Sequence, residues 1–220
     1  MNKIKATFFI FVLASILDII GIIFSISILV YIFKPLIIFS LLFLYVFSLE
    51  KRLKWYVMAL ELCFFGDVFL LFTGNTYFIA GLISFLLAHL LFIKIVVNRI
   101  KKTSILKVII ASIPFLILFL VLIYFLKSSL NELLIPVIIY GLTISTFGAV
   151  SLLDYLQTKT IKSIWMLAGA VVFILSDSLL AINKFHSSNE IFDVLIMITY
   201  IIAQYLIFKS MIISSKIEED

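Results

Sequence analysis

The chain has 220 residues, of which 65% are apolar and only 13% charged, about half the charged share of a soluble domain, and its mean hydropathy is +1.31. That composition excludes a soluble globular protein and leaves an integral membrane protein, read as one domain over 1–220 because the chain is apolar almost to both ends. The formal charge of +5 does not signal nucleic-acid binding, since the basic residues sit between the apolar runs, and the lone cysteine, Cys63, excludes a disulfide framework or a cysteine-based zinc site within one chain.

Crossing the hydrocarbon core takes about 20 apolar residues. On that measure the sequence predicts an all-α bundle of eight transmembrane helices, at roughly 6–30, 33–49, 55–73, 77–97, 105–126, 133–154, 161–182 and 191–212. With the N-terminus in the cytoplasm, the inner segments hold Lys3 and Lys5; Lys51, Arg52 and Lys54; Lys94, Arg99, Lys101, Lys102 and Lys107; Lys159 and Lys162; Lys209 and Lys216. Those are 14 of the 17 basic residues, and only Lys34, Lys127 and Lys184 fall outside. Under the positive-inside rule the expected topology has both termini cytoplasmic, in the cell membrane of a bacterium. The inner lysines then meet anionic lipid headgroups of the bilayer.

Lys3 and Lys5 precede an apolar run that has no convincing small-residue cleavage site, so the first helix reads as a retained span rather than a signal peptide. It carries Asp18, which must face protein or water rather than lipid, with Gly21 one turn on. The short turn before helix 2 ends in Lys34-Pro35. Proline is tolerated in a first helical turn because its missing N–H would be unsatisfied there anyway, and Lys34 can either hold a phosphate at a pocket mouth or snorkel to the interface. Helix 3 starts at the interface anchor Trp55 and contains Glu61, Gly66 and Asp67. Glu61 and Asp67 are about 240° apart around the helix, so only one of them lines a given pocket, and Gly66 lets a neighbour approach closely.

Helix 4 carries His89. The other histidine, His186, falls in the last outer loop, and two histidines on different elements make a poor metal site. No metal is therefore expected, and His89 reads as a hydrogen-bond partner or proton donor. Helix 5, with Pro114, is aliphatic and suggests no chemistry. Helix 6 opens near Pro136 and carries Tyr140, Gly141 and Gly148; Asp154 and Tyr155 at its inner end read as interfacial. Helix 7 follows Trp165 and reaches Ser176 and Asp177, with Asn183 on the turn beyond and on the same face as Ser176. Helix 8 brings Tyr200 and Gln204, four apart and so projecting from one side. Glu218, Glu219 and Asp220 read as a solvated tail.

The chain also echoes itself. A-H-L-L-F-I-K from Ala88 to Lys94 is matched by A-Q-Y-L-I-F-K from Ala203 to Lys209, F-G-D-V-F-L-L by L-S-D-S-L-L-A, and Pro35 by Pro136. These matches suggest a parallel 4+4 repeat with halves of about 1–100 and 101–220. By helix rise, Asp67 and Asp177 lie roughly 8 Å below the outer ends of their helices, and His89 and Gln204 about 18 to 20 Å down. They are expected to form two levels of one outward-opening pocket. Two carboxyls in a low dielectric do not both ionise readily, and one protonated beside one ionised is the arrangement acid–base chemistry needs.

Lys34-Pro35, Gly66-Asp67, F-L-L-A-H-L-L from Phe85 to Leu91, L-S-D-S-L-L-A-I-N-K-F from Leu175 to Phe185 and T-Y-I-I-A-Q-Y-L-I from Thr199 to Ile207 stand in an order that resembles the YhhN-like lysoplasmalogenase family. The resemblance implies a multi-pass membrane hydrolase that cleaves the vinyl-ether bond of a lysophospholipid, a lysoplasmalogen, to a fatty aldehyde and a glycerophospho-headgroup compound. It needs no cofactor. Carried residue by residue, it points to Asp67, His89, Ser176, Asp177, Asn183, Tyr200 and Gln204; of these the two buried carboxyls, Asp67 and Asp177, read as the catalytic acid and base and the others as supporting residues, while Lys34, from its place outside the apolar runs, reads as a contact for the headgroup. Three other readings use the same buried acids: a proton-coupled transporter, a non-enzymatic lipid-binding or scaffold protein, and an intramembrane aspartyl protease. Aldehyde release by pure protein separates the hydrolase from all three.

Overall fold

Backbone in a lipid environment must satisfy its own N–H and C=O groups, and a chain this apolar can do so locally only as helix. The computed structural model describes residues 3–217, and the acidic tail from Glu218 to Asp220, expected to be solvated, lies outside the described residues. The helices are α1 Lys3–Ile23, α2 Ser27–Ser48, α3 Lys54–Phe69, α4 Asn75–Val97, α5 Ile105–Leu130, α6 Leu134–Thr158, α7 Ile161–Phe185 and α8 Glu190–Ile217, with a 3-10 turn Asn131–Leu133 before α6. Among the described residues there is no strand.

Six stretches, rather than the expected eight, are long and apolar enough to cross a membrane, which fits a multi-pass helical membrane protein. Both differences have physical causes. α3 has 16 residues, about 24 Å of helix against a core of about 30 Å. α5 and α6 merge into one apolar stretch, Ile105–Thr158, because the turn joining them has a single charge, Glu132, and no polar loop.

The helices gather into two compact units, one of Met1–Ala88 with Met211–Asp220 and the other of His89–Ser210. The division falls inside α4 and α8 rather than between 1–100 and 101–220, so the 4+4 repeat has no counterpart in it.

In the first unit α1 ends at Ile23, well short of the expected residue 30. Ser25 adopts a left-handed φ of 54°, its N–H bonds Ile22 O at 3.2 Å, and the N–H of Ile26 bonds Gly21 O at 2.8 Å. This is the Schellman stop, built on serine where glycine or asparagine usually sits. Gly21 also lets α2 close on α1, because a Cβ there would meet Leu29 Cβ at 2.8 Å. As a result α2 starts at Ser27, and Pro35, expected in a first turn, lies inside the helix with Lys34 beside it. Between α2 and α3, the Tyr45 hydroxyl accepts the Leu53 N–H at 3.1 Å, and its ring meets that of Tyr56 edge-on at 4.7 Å.

In the second unit α5, α6 and α7 pack side by side. Gly141 and Gly148 turn their bare Cα toward Phe119 and Phe115, where a Cβ would come within 2.8 and 2.5 Å of the rings. α6 ends at Lys159 with φ 47°. α7 then starts in a reciprocal capping box between Thr160 and Ser163, which satisfies donors that helix geometry leaves open. α5 leaves much of its apolar surface uncovered, with Ile105 79% and Tyr124 75% exposed. α7 meets α8 at Gly169, where a Cβ would lie 2.7 Å from Ile207 Cγ1, 3.1 Å from Ile207 N and 3.2 Å from Ala203 O. Two of those atoms are backbone and cannot swing aside. Gly169→Ala is therefore expected to destabilise the protein by about 1–3 kcal/mol, the usual range for overpacking. Gly141→Ala meets only the Phe119 ring and should cost less; thermal unfolding of both variants in detergent measures the difference.

Candidate active site on α6 and α7

Asp177 lies on α7 between Ser176 and Ser178. Its carboxyl oxygen Oδ2 accepts a hydrogen bond from the hydroxyl of Tyr140 on α6. Tyr140, itself 8% exposed, was not among the residues singled out for chemistry. The available signal was a tyrosine in an aliphatic run, since a buried phenol needs a hydrogen-bond partner. The pair sits at the floor of a narrow furrow of about 70 Å³ whose walls are Leu118, Leu122 and Leu126 from α5, Val137 and Ile144 from α6, and Ile174 and Ala181 from α7. A second stretch of about 170 Å³, lined by Val108, Leu116, Leu142 and Leu153, shares Ser145 with the first. Together they run along the α5–α6 seam. Tyr140 to Leu153 spans about 20 Å of helix.

Behind the pair stands an aromatic layer around His89, which is wholly buried on α4. Its ring meets Phe173 edge-on at 4.6 Å, Tyr140 at 5.7 Å and Phe147 at 5.7 Å. Phe173 in turn meets Tyr200 of α8 edge-on at 5.5 Å. Edge-to-face contacts of this kind set ring orientation as well as filling space. Asp177, Tyr140, His89 and Tyr200 are thus linked, through one hydrogen bond and three ring contacts.

The other expected site residues divide. Ser176 donates to the Ile196 carbonyl at 2.9 Å, tying α7 to α8. Asn183 donates to Asp193 Oδ1 at 2.7 Å and accepts the Asn189 N–H at 2.8 Å, so its amide organises the α7–α8 connection. Gln204 is wholly buried on α8, and neither atom of its amide has a hydrogen-bond partner. Asp154, expected at the interface, is 0% exposed, and the charges of Arg99 and Lys162, both part-exposed, act on it.

In the first unit Asp67 is 2% exposed and Glu61 is exposed, as their spacing around α3 requires. Gly66 gives Phe85 its place, because a Cβ there would come within 2.6 Å of that ring. Lys34 lines a cavity of about 260 Å³ with Gly21, Ser25, Ser27, Tyr31 and Leu71. One turn before Gly21, Asp18 is wholly buried with neither carboxyl oxygen hydrogen-bonded, and the Lys34 charge acts on it.

The model of the YhhN family matches residues 29–211. Two relatives, from Mycobacterium bovis (strain ATCC BAA-935 / AF2122/97) and Mycobacterium tuberculosis (strain CDC 1551 / Oshkosh), are each named lysoplasmalogenase and are 32% identical over 166 residues. The match covers 71% of this chain and 60% of each relative. No solved structure matches. With the family model covering most of its length, this chain belongs to the YhhN family.

Proposed function

We propose that the protein is a membrane hydrolase that opens the vinyl-ether bond of lysoplasmalogens, with Asp177 as an acid–base residue. The observation that carries the reading is a carboxyl hydrogen-bonded by Tyr140 at the floor of an apolar furrow on the α5–α6–α7 seam. A vinyl ether hydrolyses when an acid adds a proton to the alkene carbon next to the ether-bearing carbon, which leaves an oxocarbenium ion. Water then attacks the ether-bearing carbon, a base takes the water's proton, and the hemiacetal collapses to an aldehyde and the glycerol hydroxyl. No net proton is consumed, so a buried carboxyl that gives a proton and regains one acts as a true catalyst, and Tyr140 holds Asp177 in place for it. The furrow receives the alkenyl chain, and its place beside α5, whose outer face is largely exposed, suits entry of a single-chain lipid sideways from the bilayer.

The relatives' name, lysoplasmalogenase, supports the substrate class. Asp67 takes its acid role from the family resemblance and its burial. Lys34, in a cavity with two serines and a tyrosine, is suited to a phosphate. We read both termini as cytoplasmic, on the distribution of 14 inner against 3 outer basic residues.

In heavy water, turnover of lysoplasmenylethanolamine by purified protein is expected to leave one deuterium on the carbon next to the aldehyde. An aldehyde lacking it excludes carbon protonation. Asp177→Asn and Asp67→Asn are each expected to lower kcat by about 10² to 10⁴, the range for a general acid or base, while each variant stays monodisperse. Tyr140→Phe keeps the ring and loses only the orienting hydroxyl, so its loss should be smaller than that of Asp177→Asn.

Orientation has its own test. In a Cys63→Ala background, Ser128→Cys and Ser188→Cys should react with an impermeant thiol reagent added outside intact cells, and Ser104→Cys should not. The opposite pattern inverts the topology.

A further inference from the structure

Three side chains of the His89–Ser210 unit are wholly buried yet leave polar atoms without a hydrogen-bond partner: Ser151 Oγ, both carboxyl oxygens of Asp154 and both amide atoms of Gln204. Several helical serines satisfy their hydroxyls on their own helix, and Ser145, Ser176 and Ser210 do so on a carbonyl of a neighbouring helix. Ser15, Ser84 and Ser178 each donate to the carbonyl four residues back, at 2.8, 2.9 and 2.7 Å. Ser151 does not, although the same bond is open to any serine in a helix.

These atoms are also arranged in order. Phe147, Ser151 and Asp154 follow one another on α6 at steps of four and three, hence on one face, and Phe147 rests against His89. Tyr200 and Gln204 share a face of α8 in the same way, and Tyr200 rests against Phe173, which rests against His89. Ser151 and Gln204 therefore each lie one turn beyond the His89 layer, on the two helices flanking it. One turn further along α6, the charges of Arg99 and Lys162 act on Asp154, beside which the Thr158 hydroxyl donates to the Asp154 carbonyl at 2.9 Å. There Arg99 Nη1 donates to Ser210 Oγ at 3.3 Å, and Ser210 Oγ donates to the Lys162 carbonyl at 2.7 Å. Arg99 is partly exposed, and the following Lys101 and Lys102 are exposed.

We infer that Asp154, Ser151 and Gln204 bind a file of water molecules that enters at Arg99 and reaches the His89 layer. Buried polar groups without protein partners are the sites that internal water occupies, each water needing two to four of them. The file answers a requirement of the reaction, and in this respect it rests on the hydrolase reading: each turnover consumes one water, and the substrate furrow is mostly apolar, with Ser145 and Ser178 the polar residues that line it beside Tyr140 and Asp177. Water reaching the oxocarbenium ion arrives from the opposite side of α6 and α7. Ser151 and Gln204 are thus positioning residues for water and do not touch the reacting bond.

Silver ion, which travels where water travels, tests the file without reference to activity. Ser151→Cys in a Cys63→Ala background, in nanodiscs, is expected to bind Ag⁺ within minutes. Ala170→Cys, at an equally buried but apolar position, should stay unmodified, and adding Asp154→Leu to Ser151→Cys should slow the reaction by about tenfold or more. Gln204→Cys is read the same way if Ser151→Cys does not fold. A cysteine at either position as inert as that at 170 overturns the file. In the turnover assay, Ser151→Val and Gln204→Leu are expected to lower kcat by about tenfold with KM unchanged; unchanged kcat in both overturns its supply role. If the unaltered protein releases no aldehyde, the hydrolase reading falls, and the silver experiment still decides whether the file exists.

Discussion

A carboxyl group inside an apolar helix bundle constrains everything packed around it, because it must find a donor within the protein or remain unsatisfied in a low dielectric. Asp177 finds the Tyr140 hydroxyl. That single bond levels α6 against α7, and Gly148, whose missing side chain admits Ile174 and Phe115, allows the two helices to come close enough to make it. Tyr140 also faces the His89 ring. The carboxyl, the phenol and the imidazole are therefore parts of one packed layer, and a change in any of them is felt by the others.

The same layer divides two environments. On the α5 side lies a furrow walled mostly by leucine, isoleucine and valine and flanked by a helix whose outer face is more than half exposed at many positions. On the far side lie Ser151, Gln204 and Asp154, which are polar and fully enclosed. A lipid chain suits the first environment and water the second. Under the proposed hydrolase reading, which joins an apolar substrate to water, Asp177 and Tyr140 stand at the boundary between the two environments.

Much of this was open to reading before any fold was known. Composition alone establishes a membrane protein, since 65% apolar residues leave no other solvent for the chain. From Asn75 onward the helices begin and end within a few residues of the hydropathy reading, because lysines, asparagines and glycines interrupt the apolar runs there. Asp67, His89, Asp177 and Gln204 were likewise visible, as polar residues in positions where burial is costly. The end of α1 was not. A serine in the left-handed conformation stops that helix, and nothing in the hydropathy of Phe24-Ser25-Ile26-Ser27 separates a stop from a continuing span.

What the sequence by itself determined is therefore the inventory: which residues lie in helices, and which polar groups are too expensive to have been left in lipid. Partnership was decided only by tertiary structure. Tyr140 and Asp177 are 37 residues apart, Asn183 bonds Asp193 and Asn189 across the α7–α8 connection, and Asp154, at a helix end where solvent is the simple expectation, is enclosed. The physical reason is that hydropathy and helical period are properties of a residue and its near neighbours, whereas a hydrogen bond between helices depends on how each is rotated and how far it slides past the next. That register is set by the small residues at the contacts, Gly148 and Gly169 among them, acting together.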